Sequence, residues 1–120
     1  MSIQTLSQRR AKHAWTKVEE QRVRPGFDEF AEQTKKLPTR ILTSGLGQTL
    51  AFLKAKRRTP ELLEALTDWM QQYYPGNPRE LLERIVQGNS DFQRLATAEV
   101  LAYLEWLVRF ADAHKKESLP

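Results

Sequence analysis

The sequence contains no cysteine among its 120 residues. This absence excludes a disulfide framework, a thiolate zinc site and a thiol nucleophile. Long apolar runs are also missing: none approaches the roughly 18 residues of a membrane span, and the N-terminus lacks the apolar segment of a signal peptide. We therefore predict a cytoplasmic protein with no membrane association.

Motifs for catalysis or cofactor binding are equally scarce. Neither His13 nor His114 has a carboxylate or a second histidine at metal-ligand spacing, so we expect both on the surface. Gly45 and Gly47 lack the preceding strand and the third glycine of a dinucleotide-binding loop. Three acids on one predicted helix are interpreted as solvated charges that complement the helix dipole: Glu61, Glu64 and Asp68. We predict no catalytic residue, no metal site and no cofactor.

The charge that is present is distributed unevenly. Residues 1–58 contain thirteen Lys and Arg against five Asp and Glu, a net +8, whereas residues 59–120 contain six against ten, a net −4. This asymmetry indicates a basic face for a polyanion and an acidic remainder for neighbouring protein or solvent. Basic surfaces also occur on proteins that bind no nucleic acid, so the charge does not decide the function.

Every apolar segment has helical rather than alternating spacing, which predicts an all-α fold. We expect a compact single-domain bundle of five or six helices over residues 1–120, with residues 1–3 and 115–120 frayed. Thr5 with Gln8 and Ser90 with Gln93 have capping-box spacing, and Pro38 is expected to bend the chain. The predicted helices cover about residues 3–24, 27–36, 38–58, 60–73, 78–87 and 90–114.

The last predicted helix has apolar residues facing nearly every direction. Such a helix is buried at the centre of a fold or shared with a partner subunit, and we expect both. Trp15 of the first helix and Val86 of the fifth are also predicted to face the core.

The stretch 37–58 combines core-forming and cationic residues. As a helix starting at Pro38, it would bury a leucine stripe and leave Arg40, Gly47 and Lys54 seven residues apart on the opposite side. The predicted stripe consists of Leu42, Leu46, Leu50 and Leu53. A glycine between two cations fits close packing of another helix or close approach of a sugar-phosphate backbone, and both interpretations stay open.

Two groups of cations are candidates for binding phosphates. One group lies on the outer face of the first predicted helix, and the other lies at the end of the central helix. The charges of the second group can be interpreted as a complement to the helix dipole, as a solvated loop or as a phosphate clamp, and all three interpretations stay open. The candidate nucleic-acid-binding residues are Arg9, Arg10, Lys17, Arg40, Gly47, Gln48, Lys54, Lys56, Arg57 and Arg58.

Three segments resemble one known family. They are LPTRILTSGLGQTLAFLKAK, RRAKHAWTKVEE upstream and LATAEVLAYLEWLVRFA near the end. This chain resembles the small subunit of Cmr-type (type III-B) CRISPR effector complexes, most specifically in GLGQTLAF at residues 45–52. The resemblance implies a helical, non-catalytic protein that stacks in several copies beside guide-RNA-bound backbone subunits and lines the target-RNA path. Its implied partners are target RNA, guide RNA or both, other Cmr-type subunits and further copies of itself.

Two other functions are compatible with a small basic helical protein. A structural adaptor would use the cations for solubility and would make no direct contact with nucleic acid. A helix-turn-helix DNA-binding protein would place its recognition helix after Gly88, but that helix begins with Ser90 and Asp91 and carries little positive charge. Salt-dependent nucleic-acid binding distinguishes an RNA-lining subunit from an adaptor.

Overall fold

A computed structural model of the protein describes residues 3–117, with side chains as far as Lys115. Over this range the chain forms six α-helices and no β-strand, which confirms the predicted all-α class. The helices are α1 (Leu6–Arg22), α2 (Phe27–Ser44), α3 (Leu46–Lys56), α4 (Pro60–Tyr73), α5 (Leu81–Gln87) and α6 (Ser90–Glu117). Of the residues predicted to fray, 1–2 and 118–120 lie outside the described range, and α6 continues to Glu117.

Helix α6 lies at the centre, as predicted. Its buried residues recur at spacings of three and four, so they form one face of the helix, and α1, α2 and α4 pack against it. The apolar residues of this face are Ala96, Val100, Tyr103, Leu104, Leu107 and Ala111. They belong to a single hydrophobic cluster to which all six helices contribute. Contact of α6 with a partner subunit stays a prediction.

The two predicted helix caps had different outcomes. Thr5 and Gln8 form the expected capping box at the start of α1: the Gln8 backbone N–H donates to Thr5 Oγ1, and the Thr5 N–H donates to Gln8 Oε1. The predicted pairing of Ser90 with Gln93 is wrong. Asn89 precedes α6 instead, and its Oδ1 accepts from the Phe92 N–H at 2.9 Å, one residue earlier than expected.

The predicted start of a new helix at Pro38 is also wrong, because α2 continues through this proline to Ser44. A proline inside a helix costs about 3 kcal/mol. Continuing the helix keeps Leu37 and Ile41 buried on the same face as Phe30, and burying a large apolar side chain contributes about 1.5–3 kcal/mol. Burial of two such side chains therefore offsets the unfavourable backbone.

The real break occurs at Gly45, between α2 and α3. Its φ of +86° and ψ of 159° lie in a region that only glycine adopts readily. The chain changes direction here, so the predicted continuous leucine stripe is interrupted: Leu46 is buried, whereas Leu42 is 76% exposed. The close spacing of apolar residues across Gly45 reflects two helices rather than one.

Two further residues predicted to face the core are largely exposed. Trp15 is 47% exposed and lies at the margin of the α1–α6 interface, where its ring packs nearly perpendicular to that of Phe110. Val86 is 74% exposed, because the short α5 turns Leu81 and Arg84 inward instead. Within residues 3–117, none of the helices is both long enough and apolar enough to span a membrane.

The break at Gly45 predicts unequal costs for two leucine truncations. Leu46→Ala removes a fully buried side chain and should lower the free energy of unfolding by about 2–5 kcal/mol. Leu42→Ala, on the other side of the break, should change it by less than about 0.5 kcal/mol. Urea unfolding followed by circular dichroism measures both. Equal losses would contradict the placement of the break.

Candidate nucleic-acid interface

The two histidines are buried, contrary to the prediction that they lie on the surface. His13 connects three helices, because its Nε2 lies 2.6 Å from Asp68 Oδ2 on α4 and its Nδ1 lies 2.6 Å from the Tyr103 hydroxyl on α6. Asp68 also lies 3.3 Å from Arg79, so its carboxylate forms specific contacts and is more than a solvated charge that complements the helix dipole. These partners are 55 and 90 residues from His13 in sequence, and no local spacing could reveal them.

The geometry around His13 fits a neutral imidazole with its proton on Nε2. Burial lowers the pKa of His13, although the Asp68 carboxylate opposes this effect. Burial raises the pKa of the Tyr103 hydroxyl, which therefore stays protonated and donates to Nδ1. Burial would also raise the pKa of Asp68, but the hydrogen bond from His13 and the charge of Lys17 lower it overall.

A second buried polar contact turns Arg10 towards the core. Its Nε and Nη2 donate to the two carboxylate oxygens of Glu99 at 2.6 and 2.8 Å, and Trp69 Nε1 donates to the same carboxylate at 2.9 Å. The Glu99 side chain is only 3% exposed. Arg10, one of the candidate nucleic-acid-binding residues, therefore neutralises a buried acid.

The other α1 candidates remain nearer the surface. Arg9 is exposed and, with Lys12 and Lys17, lines a cleft of about 340 Å³ whose wall includes His13. Lys17 Nζ lies 3.8 Å from both Glu20 and Asp68, so its charge is partly balanced. This α1 cleft is basic but contains a carboxylate.

The structure divides the strip predicted along the central stretch. Because the chain breaks at Gly45, Arg40 belongs to α2, whereas Gly47 and Lys54 belong to α3. A Cβ at Gly47 would lie 3.4 Å from Ile85 Cγ2, which supports the close-packing interpretation of this glycine. Lys54 Nζ lies 2.8 Å from Glu80 Oε1, and this contact raises the pKa of the lysine.

Gln48 lies on the side of α3 that faces α5. It shares a groove with Gly47, Leu82 and Val86, and this groove is mostly apolar. Arg57 is exposed at the end of α3 and adopts a left-handed backbone conformation with φ of +55°. Neither Gln48 nor Arg57 lines the concavity of about 220 Å³ that Arg40 lines.

The turn at Gly45 creates a different cationic site. Lys36 and Arg40 from α2 meet Lys56, the last residue of α3, and Arg58, which follows this helix, around a concavity of about 220 Å³. Phe52 lies among them and is 37% exposed, with Arg40 Cζ 4.4 Å and Lys56 Nζ 5.4 Å from its ring centroid. We call these five residues the α2–α3 basic concavity.

Carboxylates are sparse at the α2–α3 basic concavity. Arg58 Nη1 lies 4.0 Å from Glu29 Oε1, at the limit of an ion pair, and Arg40 Nη1 donates to the neutral Gln33 side chain at 3.1 Å. Neither Lys36 nor Lys56 forms an ion pair with the described residues. The concavity therefore keeps hydrogen-bond donors and positive charge for an external anion.

Sequence reasoning missed Lys36 and Phe52 as members of a site. The local pattern identifies Lys36 only as a cation at a helix end, and Phe52 only as part of an apolar edge. Gln33, Lys36 and Arg40 are spaced by three and four residues, so they lie on one face of a helix that continues through Pro38. A sequence prediction that allowed such a helix would have placed them together. The approach of Phe52 depends on the turn at Gly45 and has no local signal.

No cluster of three or more acidic or histidine side chains that could hold a metal ion occurs within the described part of the chain. The paired Asp68 and His13 lack a third ligand of this kind. The chemistry that the α2–α3 basic concavity supports is binding of an anion.

Two adjacent arginines should differ in their effects on stability. Arg10→Ala leaves the buried Glu99 carboxylate without its guanidinium and should lower the free energy of unfolding by about 3–5 kcal/mol. Arg9→Ala removes an exposed cation and should change it by less than about 0.5 kcal/mol. Thermal and urea unfolding provide the comparison. A small effect at Arg10 would show that Glu99 does not depend on this contact.

The lowered pKa of His13 predicts a dependence of stability on pH. The folded protein resists protonation of His13 more than the unfolded chain, whose histidine has the ordinary pKa of 6.5. The free energy of unfolding should therefore fall as the pH drops from about 7 through this value towards the lowered pKa of the folded state. His13→Gln should reduce this slope. Identical slopes between pH 7 and 5 in both proteins would contradict the assignment.

Comparison with known proteins agrees with the resemblance seen in the sequence. The model of the family CRISPR-associated protein (Cas_Cmr5) matches residues 6–114. The chain is 35% identical over 112 residues to the CRISPR system Cmr subunit Cmr5 of Thermus thermophilus, and the match covers 92% of this chain and 96% of that relative.

The fold agrees as well. It is similar to the crystal structure of a CRISPR-associated Cmr5 family protein from Thermus thermophilus, with a TM-score of 0.79 and 34% sequence identity. The match covers 92% of this chain and 97% of that one. Sequence and fold together show that this chain belongs to the Cas_Cmr5 family of CRISPR-associated proteins.

Proposed function

We propose that this protein is a non-catalytic small subunit of a type III-B CRISPR effector complex and that its α2–α3 basic concavity contacts RNA. The observation that carries the proposal is the convergence of four cations on one small concavity where ion pairing is nearly absent. Membership of the Cas_Cmr5 family supports the setting, since the Thermus relative is described as a Cmr subunit.

Phe52 prepares the site for phosphate binding. The ring lies within cation–π distance of Arg40 and Lys56, so it restricts two long side chains that would otherwise sample many rotamers. Arg40 uses one N–H for Gln33 and keeps the others for phosphate oxygens. Contacts of this kind read charge and backbone spacing rather than base identity, so binding should depend little on RNA sequence.

The proposed interface retains some of the residues predicted from the sequence and omits others. Arg9 and Lys17 form a second, weaker contact along α1, and the exposed Arg57 adds charge beside Lys56. We leave out Arg10 and Lys54, because carboxylates neutralise them. Gly47 and Gln48 are left out because they face α5.

The complex would supply the remaining partners. We propose that several copies stack beside the backbone subunits, that the chain acts as a single domain in the cytoplasm, and that target cleavage belongs to another subunit. The exposed Leu42 and Val86 provide apolar surface for neighbouring protein chains. Stacking several copies would add weak RNA contacts along one strand.

A structural adaptor is the second candidate. It is favoured by the ion pairs that hold many of the cations, including Arg10, Lys54 and Arg79. In an adaptor, the α2–α3 basic concavity would dock an acidic protein surface, and its charges would affect assembly rather than RNA affinity.

Two adjacent lysines on α2 separate these functions. Lys36 and Lys35 are both exposed, but Lys36 lines the α2–α3 basic concavity, whereas Lys35 lines a different groove with Val108. In the assembled complex, Lys36→Gln should weaken binding of target RNA and flatten its salt dependence. The slope of the logarithm of the binding constant against the logarithm of the salt concentration should change by up to about 0.7 for each copy that loses a phosphate contact. Lys35→Gln should leave both unchanged.

The assay requires RNA binding across a salt series, with subunit composition checked in parallel. Combining Lys36→Gln with Arg40→Gln and Lys56→Gln should enlarge the loss of affinity without changing assembly. If the triple variant keeps its RNA affinity and slope but recruits fewer backbone subunits, the adaptor function is correct and the RNA interface is wrong.

A further inference from the structure

Arg84 is a buried cation without an acidic partner. It lies on α5 and is only 6% exposed. Its Nη2 donates to the Tyr74 backbone carbonyl at 2.6 Å, and its Nη1 meets Gln71 Oε1 at 3.5 Å. Both of these acceptors are neutral.

Aromatic rings and a tight turn enclose the Arg84 guanidinium. Its Cζ lies 4.8 Å from the ring centroid of Phe92 on α6 and 5.7 Å from that of Tyr74. A Cβ at Gly76 would lie 2.8 Å from Nη2, so the backbone of the α4–α5 connection passes directly beside the charge. Arg84 is thus held in a defined position by contacts that do not neutralise it.

No carboxylate of the described residues compensates this charge. Burial lowers the pKa of Arg84, and no carboxylate opposes the effect. Asp91 and Glu80 pair with Arg94 and Lys54 instead. Arg10 shows the contrast, because its side chain is less buried and its guanidinium meets Glu99 through two hydrogen bonds. A buried charge without a counter-ion is costly unless a ligand supplies one.

Arg84 lines an open cleft of about 500 Å³. The α4–α5 connection forms one wall and the start of α6 forms the other. Asn77, Gln87 and Asn89 add amide groups that can bind a polar ligand. The volume is sufficient for an inserted side chain or chain end.

We propose that this cleft, the Arg84 cleft, binds a carboxylate presented by another protein chain. A planar guanidinium matches one carboxylate through two parallel hydrogen bonds. The surroundings disfavour a polyanionic nucleic-acid strand more than a single carboxylate, because Asp91 lines the cleft while paired with Arg94, Glu83 lies on α5, and residues 59–120 carry a net −4. The site is separate from the α2–α3 basic concavity and does not depend on the proposed contact with RNA.

Small carboxylates test the site in the full chain. N-acetylglutamate α-amide presents a side-chain carboxylate, and N-acetylglycine presents a terminal one; dimethyl phosphate is the competing anion. Titration followed by the Arg84 Nε–Hε resonance, assigned with Arg84→Lys, should give a saturable shift with at least one carboxylate and weaker binding of the phosphate. The stronger carboxylate identifies the source. No saturable carboxylate shift, or tighter binding of dimethyl phosphate or a short RNA, would overturn the proposal.

A pair of glutamine substitutions provides a test that keeps Arg84. Gln87→Glu places an internal carboxylate three residues after Arg84 on α5, where it can occupy the guanidinium. It should weaken carboxylate binding by about tenfold, the scale of one charge-assisted hydrogen bond. Gln93→Glu introduces the same charge outside the cleft and should leave binding unchanged. Equal effects of the two variants, or no effect of Gln87→Glu, would contradict a site at Arg84.

Discussion

The buried carboxylate of Glu99 is the interaction on which the arrangement of the helices depends. It lies on the central α6 and accepts hydrogen bonds from Arg10 of α1 and Trp69 of α4. An unpaired carboxylate at this depth would destabilise the fold, so α1 and α4 must approach α6 in the register that brings these donors to it. His13 repeats the connection through Asp68 and Tyr103. The contacts of Arg10 and His13 thus specify which face of α1 packs against α4 and α6.

The cations of the α2–α3 basic concavity stay available because a second constraint shapes this part of the molecule. Gly45 allows a backbone conformation that an L side chain rarely adopts, and the turn sends α3 back towards α2. This return brings Phe52 and Lys56 beside Lys36 and Arg40. Cations that are spread along the sequence are thereby brought together at one place, which strengthens the electrostatic attraction for a polyanion there. Lys54, on the same helix, faces Glu80 and is neutralised.

The sequence was sufficient to predict the all-α class and the central position of α6, because helical periodicity and burial follow directly from local spacing. It was insufficient wherever tertiary contacts override local preferences. Pro38 would break an isolated helix, but burial of Leu37 and Ile41 maintains α2. The burial of His13 could not be predicted, because α4 and α6 supply its partners. For the same reason, the cations of α2 and α3 could be identified from charge alone, but their division into paired and available groups could not.

Photocross-linking gives the most direct test of whether the α2–α3 basic concavity lies along RNA. Target RNA that carries 4-thiouridine would be bound to the assembled complex and irradiated, and the cross-linked peptides of this chain would be mapped by mass spectrometry. The account predicts cross-links at the α2–α3 basic concavity, with Phe52 as the principal site. Cross-links confined to the Arg84 cleft around Tyr74 and Phe92, or the absence of cross-links to this chain while other subunits react, would contradict it.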